Sequence, residues 1–512
     1  MRSEGVREQP TRRSKSQRSW ARPAGWAAPG ERLVRSAATE RIPTLTELGR
    51  VHIIGIAGAG MSGLARLLLA RGVTVSGCEA RDSDTVRALR ALGAVVWVGH
   101  SVDHLDAVDS VIYSTAIPMS HLEIVGALER GLPIFRRAAA LSAAIADRRT
   151  VAIAGTHGKT TTTSLLTVAA QACRIDPSFA IGGNLYETGR NAHWGSGEYV
   201  LVEADESDGS FLLLRPEIAV VTNVEADHLE NHGDLEGVFW AFEQFVRRIS
   251  PSGLLVACAD DPGAMRIAEY ARSRRIRVLT YGTAANADVH ITEIVEGGAS
   301  VGFAVVGTSV GKRAVTLGAL VGQHMARNGA AALTVAAELG LDLDLVTEVW
   351  ARFRGVQRRF EFRGEAAGVR VYDDYAHHPT EIAAELQAAR AAVGDGRLVA
   401  VFQPGTYSRT QTFADEFGLA MGLADIAVVM DVFAAREEPI PGVSGALIAE
   451  RIPLPADSVV YEPRWSATAG RVADLVQPGD VVVTMGIGDV HMVCPEILVE
   501  LTARAGEAGS TS

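Results

Sequence analysis

The sequence predicts an α/β protein of several domains, on three observations. At 512 residues the chain is too long for one hydrophobic core, and the usual domain size suggests about three or four units. Short apolar runs alternate with helical segments over most of its length. Two glycine-rich turns, Gly58 to Gly63 and Gly155 to Gly158, each follow a strand-like run and lead into a helical one. The composition, 47% hydrophobic and 21% charged with 52 glycines, suits that class, and no apolar run is long enough to span a bilayer. A membrane-spanning role is set aside.

Charge narrows the partners. The net charge is −11, yet residues 1–41 carry ten Lys/Arg against four Asp/Glu, which leaves −17 on the remainder. An acidic body does not suit a phosphate backbone, so nucleic acid is not expected as a partner. Residues 1–46, rich in Arg, Ser, Pro and Gly and without apolar periodicity, read as a disordered basic tail. No apolar stretch of the kind an export signal needs follows Arg12-Arg13. Cys78, Cys173, Cys258 and Cys494 lack C-x-x-C spacing, which suits buried thiols in a reducing compartment better than disulfides or zinc. A cytoplasmic location is expected.

From Val51, V-H-I-I-G-I reads as a strand, Gly58 to Gly63 as a tight turn, S-G-L-A-R-L-L-L-A as a helix and V-T-V-S-G as the next strand, a βαβ unit. A polar break at Asp147 to Arg149 closes this first domain, 47–148. A second α/β stretch, 149–355, runs from T-V-A-I-A through Y-V-L-V-E, I-A-V-V-T-N and G-L-L-V-A. It ends in glycine-punctuated alternation from Asp288 to Val315 and a helix from His324. The third, 356–512, has strands at V-R-V-Y-D, L-V-A-V-F, I-A-V-V-M and V-V-V-T-M-G.

The strand T-V-A-I-A runs directly into G-T-H-G-K-T-T-T and then into a helix. In such a turn, backbone N–H groups point at an anion, a lysine neutralises phosphate oxygens and a hydroxyl reaches Mg²⁺. Gly155, Gly158, Lys159 and Thr160 fit those roles, in a loop shorter than G-x-x-x-x-G-K-[ST], since Ile153 stands five before Gly158. Lys15, Lys159 and Lys312 are the only lysines among 49 basic residues. A compact ammonium serves this loop as a point charge where a planar guanidinium would not fit.

Downstream, Y-V-L-V ends in E-A-D-E-S-D, so Glu203, Asp205, Glu206 and Asp208 crowd a strand C-terminus, where open α/β sheets place ligands. Mg²⁺ prefers one or two carboxylates with phosphate oxygens and water, which makes a strand-end acid here a natural ligand. A solvated acidic turn accounts equally well for at least two of the four. A further strand, I-A-V-V-T-N, puts Asp227 and His228 just past its end.

Together with G-I-A-G-A-G-M-S-G-L-A, G-Q-H-M-A-R-N, R-R-F-E, Y-D-D-Y-A-H-H-P-T-E, Y-S-R-T and E-E-P-I-P-G-V-S-G, these blocks resemble the Mur ligase family, and its alanine-adding branch most. The resemblance covers roughly residues 50 to 500, with the blocks in the family's order. It implies an N-terminal Rossmann-like domain for UDP, a central P-loop-type ATPase domain and a Rossmann-like C-terminal domain. The implied activity is ligation of L-alanine to the lactyl carboxylate of UDP-N-acetylmuramate through an acyl phosphate, dependent on ATP and Mg²⁺, in peptidoglycan precursor synthesis. A monomer or weak homodimer is expected.

By motif position, Gly58, Ala59, Gly60, Met61, Ser62 and Gly63 would bind the UDP-sugar. ATP would be held by Gly155, Thr156, His157, Gly158, Lys159, Thr160 and Thr161, with His324, Asn328, Arg359 and Asp374. Thr160, Glu203 and His228 would hold metal. Lys159, His228, His377 and Arg409 would act at the reacting groups, with Tyr375 beside them. The chain departs from the family in F-Q-P-G-T-Y-S-R-T, where His is common at the position of Gly405 and Arg frequent at that of Thr406, a segment that bears on amino-acid selectivity.

The first glycine turn also obeys G-x-G-x-x-G, with Glu79 near the end of the next strand, as in NAD(P)-dependent oxidoreductases. That reading leaves the phosphate loop and the strand-end acids without a role. A Mur-like ligase for another amino acid or a peptide, or a non-catalytic nucleotide-binding relative, are further readings.

Overall fold

The computed structural model describes residues 34–297, 300–434 and 437–510. Among these the chain forms three sheets, of five, ten and six strands, flanked by helices. The N-terminal sheet runs Val95–Val98, Val75–Glu79, Val51–Ile54, Ser110–Tyr113, Ile134–Arg136, all parallel. Strand order reverses at Val51–Ile54, so the crevice beyond its C-terminal end is the natural ligand site of this sheet. All four residues of that strand are buried, as a parallel strand covered on both faces requires.

The turn after it is earlier than the sequence suggests. Gly55, at φ 67°, reverses the chain, and the helix Ala59–Ala70 already begins behind Gly58. Ser62 N–H donates to Gly58 O at 2.8 Å, so Gly60 to Gly63 belong to the first helical turns and not to a loop.

In the central sheet, the strand Arg149–Ala154 lies between Ile218–Val221 and Tyr199–Glu203, parallel to both. This pairing brings Gly155, Thr222 and Glu203 to one sheet edge. The glycine-punctuated segment forms antiparallel strands Val289–Gly297, Ser300–Gly307 and Gly311–Gly318 that extend the same sheet. The helix Gln323–Glu338 then packs on the helix Lys159–Ala172. The C-terminal sheet runs Glu361–Ala366, Val369–Asp374, Val481–Met485, Leu398–Phe402, Ile426–Val429, Val459–Tyr461, antiparallel only in its first pair.

Of the basic tail, residues 1–33 lie outside the described residues. From Val34 onward the chain is packed. Val34 and Ala37 are buried in the main core, Glu40 pairs with Arg136, and Arg248 donates to Ala38 O. Thr44 and Glu47 form a capping box on the helix Leu45–Leu48. Two small apolar side chains suffice to anchor a stretch whose overall composition is that of a linker.

A chain beginning at residue 47 should therefore melt several degrees below one beginning at residue 34. Removing Val34 and Ala37 uncovers core surface at a cost of about 2–4 kcal/mol. Equal melting temperatures in a thermal scan would show that the segment contributes nothing.

Candidate active site

The phosphate loop is shaped by a neighbouring strand end. Gly155 has φ 134° and Gly158 has φ 82°; a Cβ on the first would overlap Thr222 Oγ1, and on the second Asn328 Oδ1. Only glycine fits at either position. Thr156 N–H donates to Asn223 O at 3.0 Å, His157 N–H to Asn223 Oδ1 at 2.8 Å, and Thr222 Oγ1 to His157 O at 2.6 Å. Glu225 N–H closes the set on Thr156 Oγ1 at 2.9 Å.

Lys159 opens the following helix, and its ammonium folds back onto the loop. It donates to Gly155 O at 2.6 Å and Thr156 O at 2.9 Å, and pairs with Glu206 at 2.9 Å. Burial disfavours its charge, but Glu206, Asp205 and Glu203 outweigh that and raise its pKa. Burial pushes the Glu206 carboxyl up to about 7 even beside the ammonium. Thr160 Oγ1 lies 3.0 Å from both oxygens of Glu203, and Gly182 N–H donates to Glu203 Oε2 at 2.7 Å. A hydroxyl and a carboxylate beside a phosphate loop are the hard oxygen donors that suit Mg²⁺.

The C-terminal domain closes onto this loop through charged groups. Arg409 donates to Asp227 Oδ1 at 2.6 Å, Thr380 Oγ1 to Glu225 Oε2 at 2.9 Å, and His157 Nδ1 lies 3.1 Å from Glu381 Oε1. His157 Nε2 is 3.6 Å from Glu225. Burial opposes a charge on this imidazole, yet Glu381 and Glu225 raise its pKa to about 9, so it is an imidazolium clamped between two carboxylates. From the other side, Asn191 Nδ2 donates to Ala59 O at 2.7 Å and Thr115 Oγ1 to Asp208 at 2.8 Å, which docks the N-terminal domain. The three domains enclose a cleft of about 1380 Å³.

Of the first glycine turn, Ala59 and Ser62 line this cleft. Gly58 caps the helix, Gly60 lies under Arg137, and Met61 and Gly63 face inward, Gly63 against Ala192 and Asn191. Thr156, His157, Gly158, Lys159 and Thr160 line it on the central domain, with Glu203 and His228. Gly155 and Thr161 sit buried behind the loop. Asn328 reaches over Gly158. One turn earlier, burial, Arg327 and Arg359 lower His324 to about 4.

Arg359, Tyr375, His377 and Arg409 line the C-terminal wall, whereas Asp374 does not. Its carboxylate accepts Phe360 N–H at 2.8 Å and Ala376 N–H at 2.6 Å, and burial pushes it up to about 6, so it shapes the turn that carries its neighbours. Burial lowers His377 to about 4; its Nδ1–H faces Tyr375 O at 2.9 Å. His228 stands at φ 51°, uncommon for a residue other than glycine, with Glu230 at 3.3 Å and Asp227 at 3.6 Å. Despite burial, His228 and Arg409 hold Asp227 well below the usual carboxylate range.

Arg66, which lines the cleft, and Asn223, Glu225 and Glu381, which hold the loop, have no role in the sequence reading. For Glu381 a signal existed: it follows His377 by four residues, in the first turn of a helix opened by Pro379.

Residues 50–149, 153–336 and 358–488 match, in turn, the family descriptions Mur ligase family catalytic domain, Mur ligase middle domain, and Mur ligase glutamate ligase domain. The chain belongs to the Mur ligase family. A UDP-N-acetylmuramate–L-alanine ligase of Saccharopolyspora erythraea is 56% identical over 464 residues, 90% of this chain and 94% of that protein. Among solved structures, the UDP-N-acetylmuramate-alanine ligase of Thermotoga maritima aligns with a TM-score of 0.73 at 26% identity, over 89% of this chain and 99% of that one. A murein peptide ligase of Psychrobacter arcticus aligns at 0.66 and 25%, with the same coverage.

In this Mur ligase, the acid that an oxidoreductase would need for a ribose is otherwise engaged. Glu79 accepts Ala57 N–H at 3.0 Å and Ala80 N–H at 2.9 Å, and so braces the glycine turn itself.

Because His157 has a raised pKa, its contribution to stability should be complete below about pH 6.5 and vanish as pH rises through about 9. The melting-temperature difference between wild type and His157→Gln, followed against pH, should shrink over that window. A difference that stays constant across it would rule out the imidazolium clamp.

Proposed function

We propose that the protein joins L-alanine to the lactyl carboxylate of UDP-N-acetylmuramate, with ATP as the activating substrate, in peptidoglycan precursor synthesis. The observation that carries this reading is that a phosphate loop with Lys159 and a helix start behind Gly58 open into one cleft, closed on its third side by Arg409 and His377. The alanine-ligase activity of the 56% identical relative supports it.

A carboxylate is a poor electrophile, whereas an acyl phosphate has a good leaving group and a polarised carbonyl. The carboxylate oxygen attacks the γ-phosphorus, ADP departs, and the amine of alanine then displaces phosphate to give the amide. Lys159, drawn off the loop carbonyls, offsets the repulsion between two anions that must meet. Arg409, beside Asp227, faces the same anionic groups. The amine must shed a proton, and a neutral His377 with Nδ1–H on Tyr375 O leaves Nε2 able to take it.

Thr160 and Glu203 are the residues that would hold Mg²⁺, with His228, Asp227 and Glu230 grouped where a second ion would require the imidazole to be neutral. Bound there, the cation supplies charge neutralisation at the phosphates. Free thiols at all four cysteines and the nucleotide substrates fit a cytoplasmic enzyme. Among the described residues no helix is long and apolar enough to cross a membrane.

Gly405 gives selectivity a physical handle. A Cβ there would lie 2.6 Å from Ile487 Cδ1, so Ile487 fills the volume that a larger residue at 405 would need. Gly405 directly precedes Thr406, whose hydroxyl caps the helix Tyr407–Thr412.

Lys159→Ala should abolish ATP-dependent phosphate release, a loss of at least about 100-fold, while UDP-N-acetylmuramate still binds in a calorimetric titration. Retained turnover would refute the loop assignment. Phosphate release with UDP-N-acetylmuramate should be strongest with L-alanine over glycine, L-serine and short peptides. Gly405→His alone should lower activity, and adding Ile487→Ala should restore part of it; no recovery in the double variant would separate the two positions.

A further inference from the structure

Outside the cleft, the N-terminal domain gathers a second set of chemistry-bearing side chains. Strand alternation puts His52 with Ile54, and Ser76 with Cys78, on one face of two paired strands. There Ile54 and Cys78 pack with Ile124 and Ala127 of the helix Leu122–Glu129. Into this apolar layer the same helix places Glu123, which is fully buried, and the chain beyond Val95–Val98 brings in His100 and His104.

The two oxygens of Glu123 have different surroundings. Oε1 accepts Ser101 N–H at 3.1 Å and faces His104 Nδ1 at 2.9 Å, with the His104 ring stacked on Trp97 at 4.4 Å. Oε2 faces Cys78 Sγ at 2.8 Å, His100 Nδ1 at 3.6 Å and His52 Nε2 at 3.7 Å, and His100 Nδ1 lies 3.1 Å from Cys78 Sγ.

The state of His52 follows from its other nitrogen. Ser76 Oγ donates its single proton to Val51 O at 3.1 Å, so its lone pair takes Nδ1–H of His52 at 3.2 Å. In the neutral ring Nε2 then carries a lone pair. It is buried, has no hydrogen-bond partner among the described residues, and points at a carboxylate oxygen. Two electron-rich atoms facing each other in a buried layer call for a positive centre on the carboxylate.

We propose that Cys78, His100 and Glu123 form a binding site for one Zn²⁺ ion, with solvent as its fourth ligand. A thiolate, an imidazole and a carboxylate whose donor atoms all lie within 4.8 Å of one another are a zinc donor set. Ligand atoms at their usual distances from a tetrahedral zinc lie about 3.3–3.8 Å apart, close to the His100 separation from Glu123. The shorter Cys78 to Glu123 approach is an S–H···O hydrogen bond that the metal replaces. On binding, the S–H bond breaks, a Zn–S bond forms and the proton leaves to solvent. Burial, and then Glu123, push the free thiol's pKa up, so binding tightens as pH rises. Ser101 and His104 hold the other carboxylate oxygen, as outer partners of metal sites do. His100, part-exposed, gives the entry path.

Such an ion would cross-link a strand, a loop and a helix directly behind the glycine turn, since Ile56 N–H donates to Cys78 O at 3.0 Å. C-x-x-C spacing does not reveal it because the three donors come from three separate segments.

The test uses the full chain, stripped with EDTA and kept in millimolar Mg²⁺ to occupy oxygen sites, then titrated with Zn²⁺ against a chromophoric chelator and with Co²⁺ by absorbance. One equivalent should bind, raise the melting temperature by several degrees, and with Co²⁺ give a near-ultraviolet thiolate charge-transfer band. Cys78→Ser and His100→Ala, which should still melt cooperatively, should weaken binding about 100-fold or more, and His104→Gln about tenfold. No stoichiometric binding by wild type, no thiolate band, or equal affinity in Cys78→Ser would each overturn the proposal and leave the cluster a proton-linked hydrogen-bond network. None of these outcomes bears on the ligase activity.

Discussion

The cleft depends on how one short loop is fastened to the strand beside it. Parallel pairing of Ile218–Val221 with Val151–Ala154 delivers Thr222 and Asn223 under the loop, where they satisfy both the N–H and the C=O of His157. With those groups held, Gly155 and Gly158 can adopt left-handed backbone, and the helix that Lys159 opens starts where a phosphate would sit. The loop's shape is thus a property of the sheet and not of the glycines alone.

The same residue that the strand end holds by its backbone reaches the third domain with its side chain. His157 joins Glu225, on the central domain, to Glu381, on the C-terminal domain, so the posture of the loop and the closure of the cleft are set by one imidazolium. Arg409 and Asp227 repeat the arrangement a short way off with the polarity reversed, the cation now on the C-terminal side. Both contacts are part-buried and paired, so their charges are partly shielded from water and favour the docked over the undocked domain.

Features that lie contiguously in sequence were legible there: the three α/β stretches, the phosphate loop with Lys159 and Thr160, and the strand-end acid Glu203. Each is a local pattern whose neighbours in space are its neighbours in the chain. What was not legible joins distant segments. Asn223 lies 66 residues from His157, and Glu381 lies 224 residues from it. The first glycine turn was placed too late because G-A-G-M-S-G reads as loop by composition, although its backbone continues the helix. The packing of Val34 and Ala37 was missed because two apolar side chains in a polar stretch leave no periodic trace. Asp374 sits in a recognisable block, yet its carboxylate is occupied by two backbone amides, which no spacing rule predicts.

The posture of Lys159 has a consequence for what can enter. Its ammonium is not waiting in an empty seat: Gly155 O, Thr156 O and Glu206 already surround it. An arriving anion must outcompete all three, so the favourable free energy is a difference between two sets of partners and not the sum of the new ones. A singly charged or diffuse anion offers the ammonium less in exchange than the clustered oxygens of a polyphosphate do. The folded-back lysine therefore ties any gain from a new partner to the charge density that partner brings.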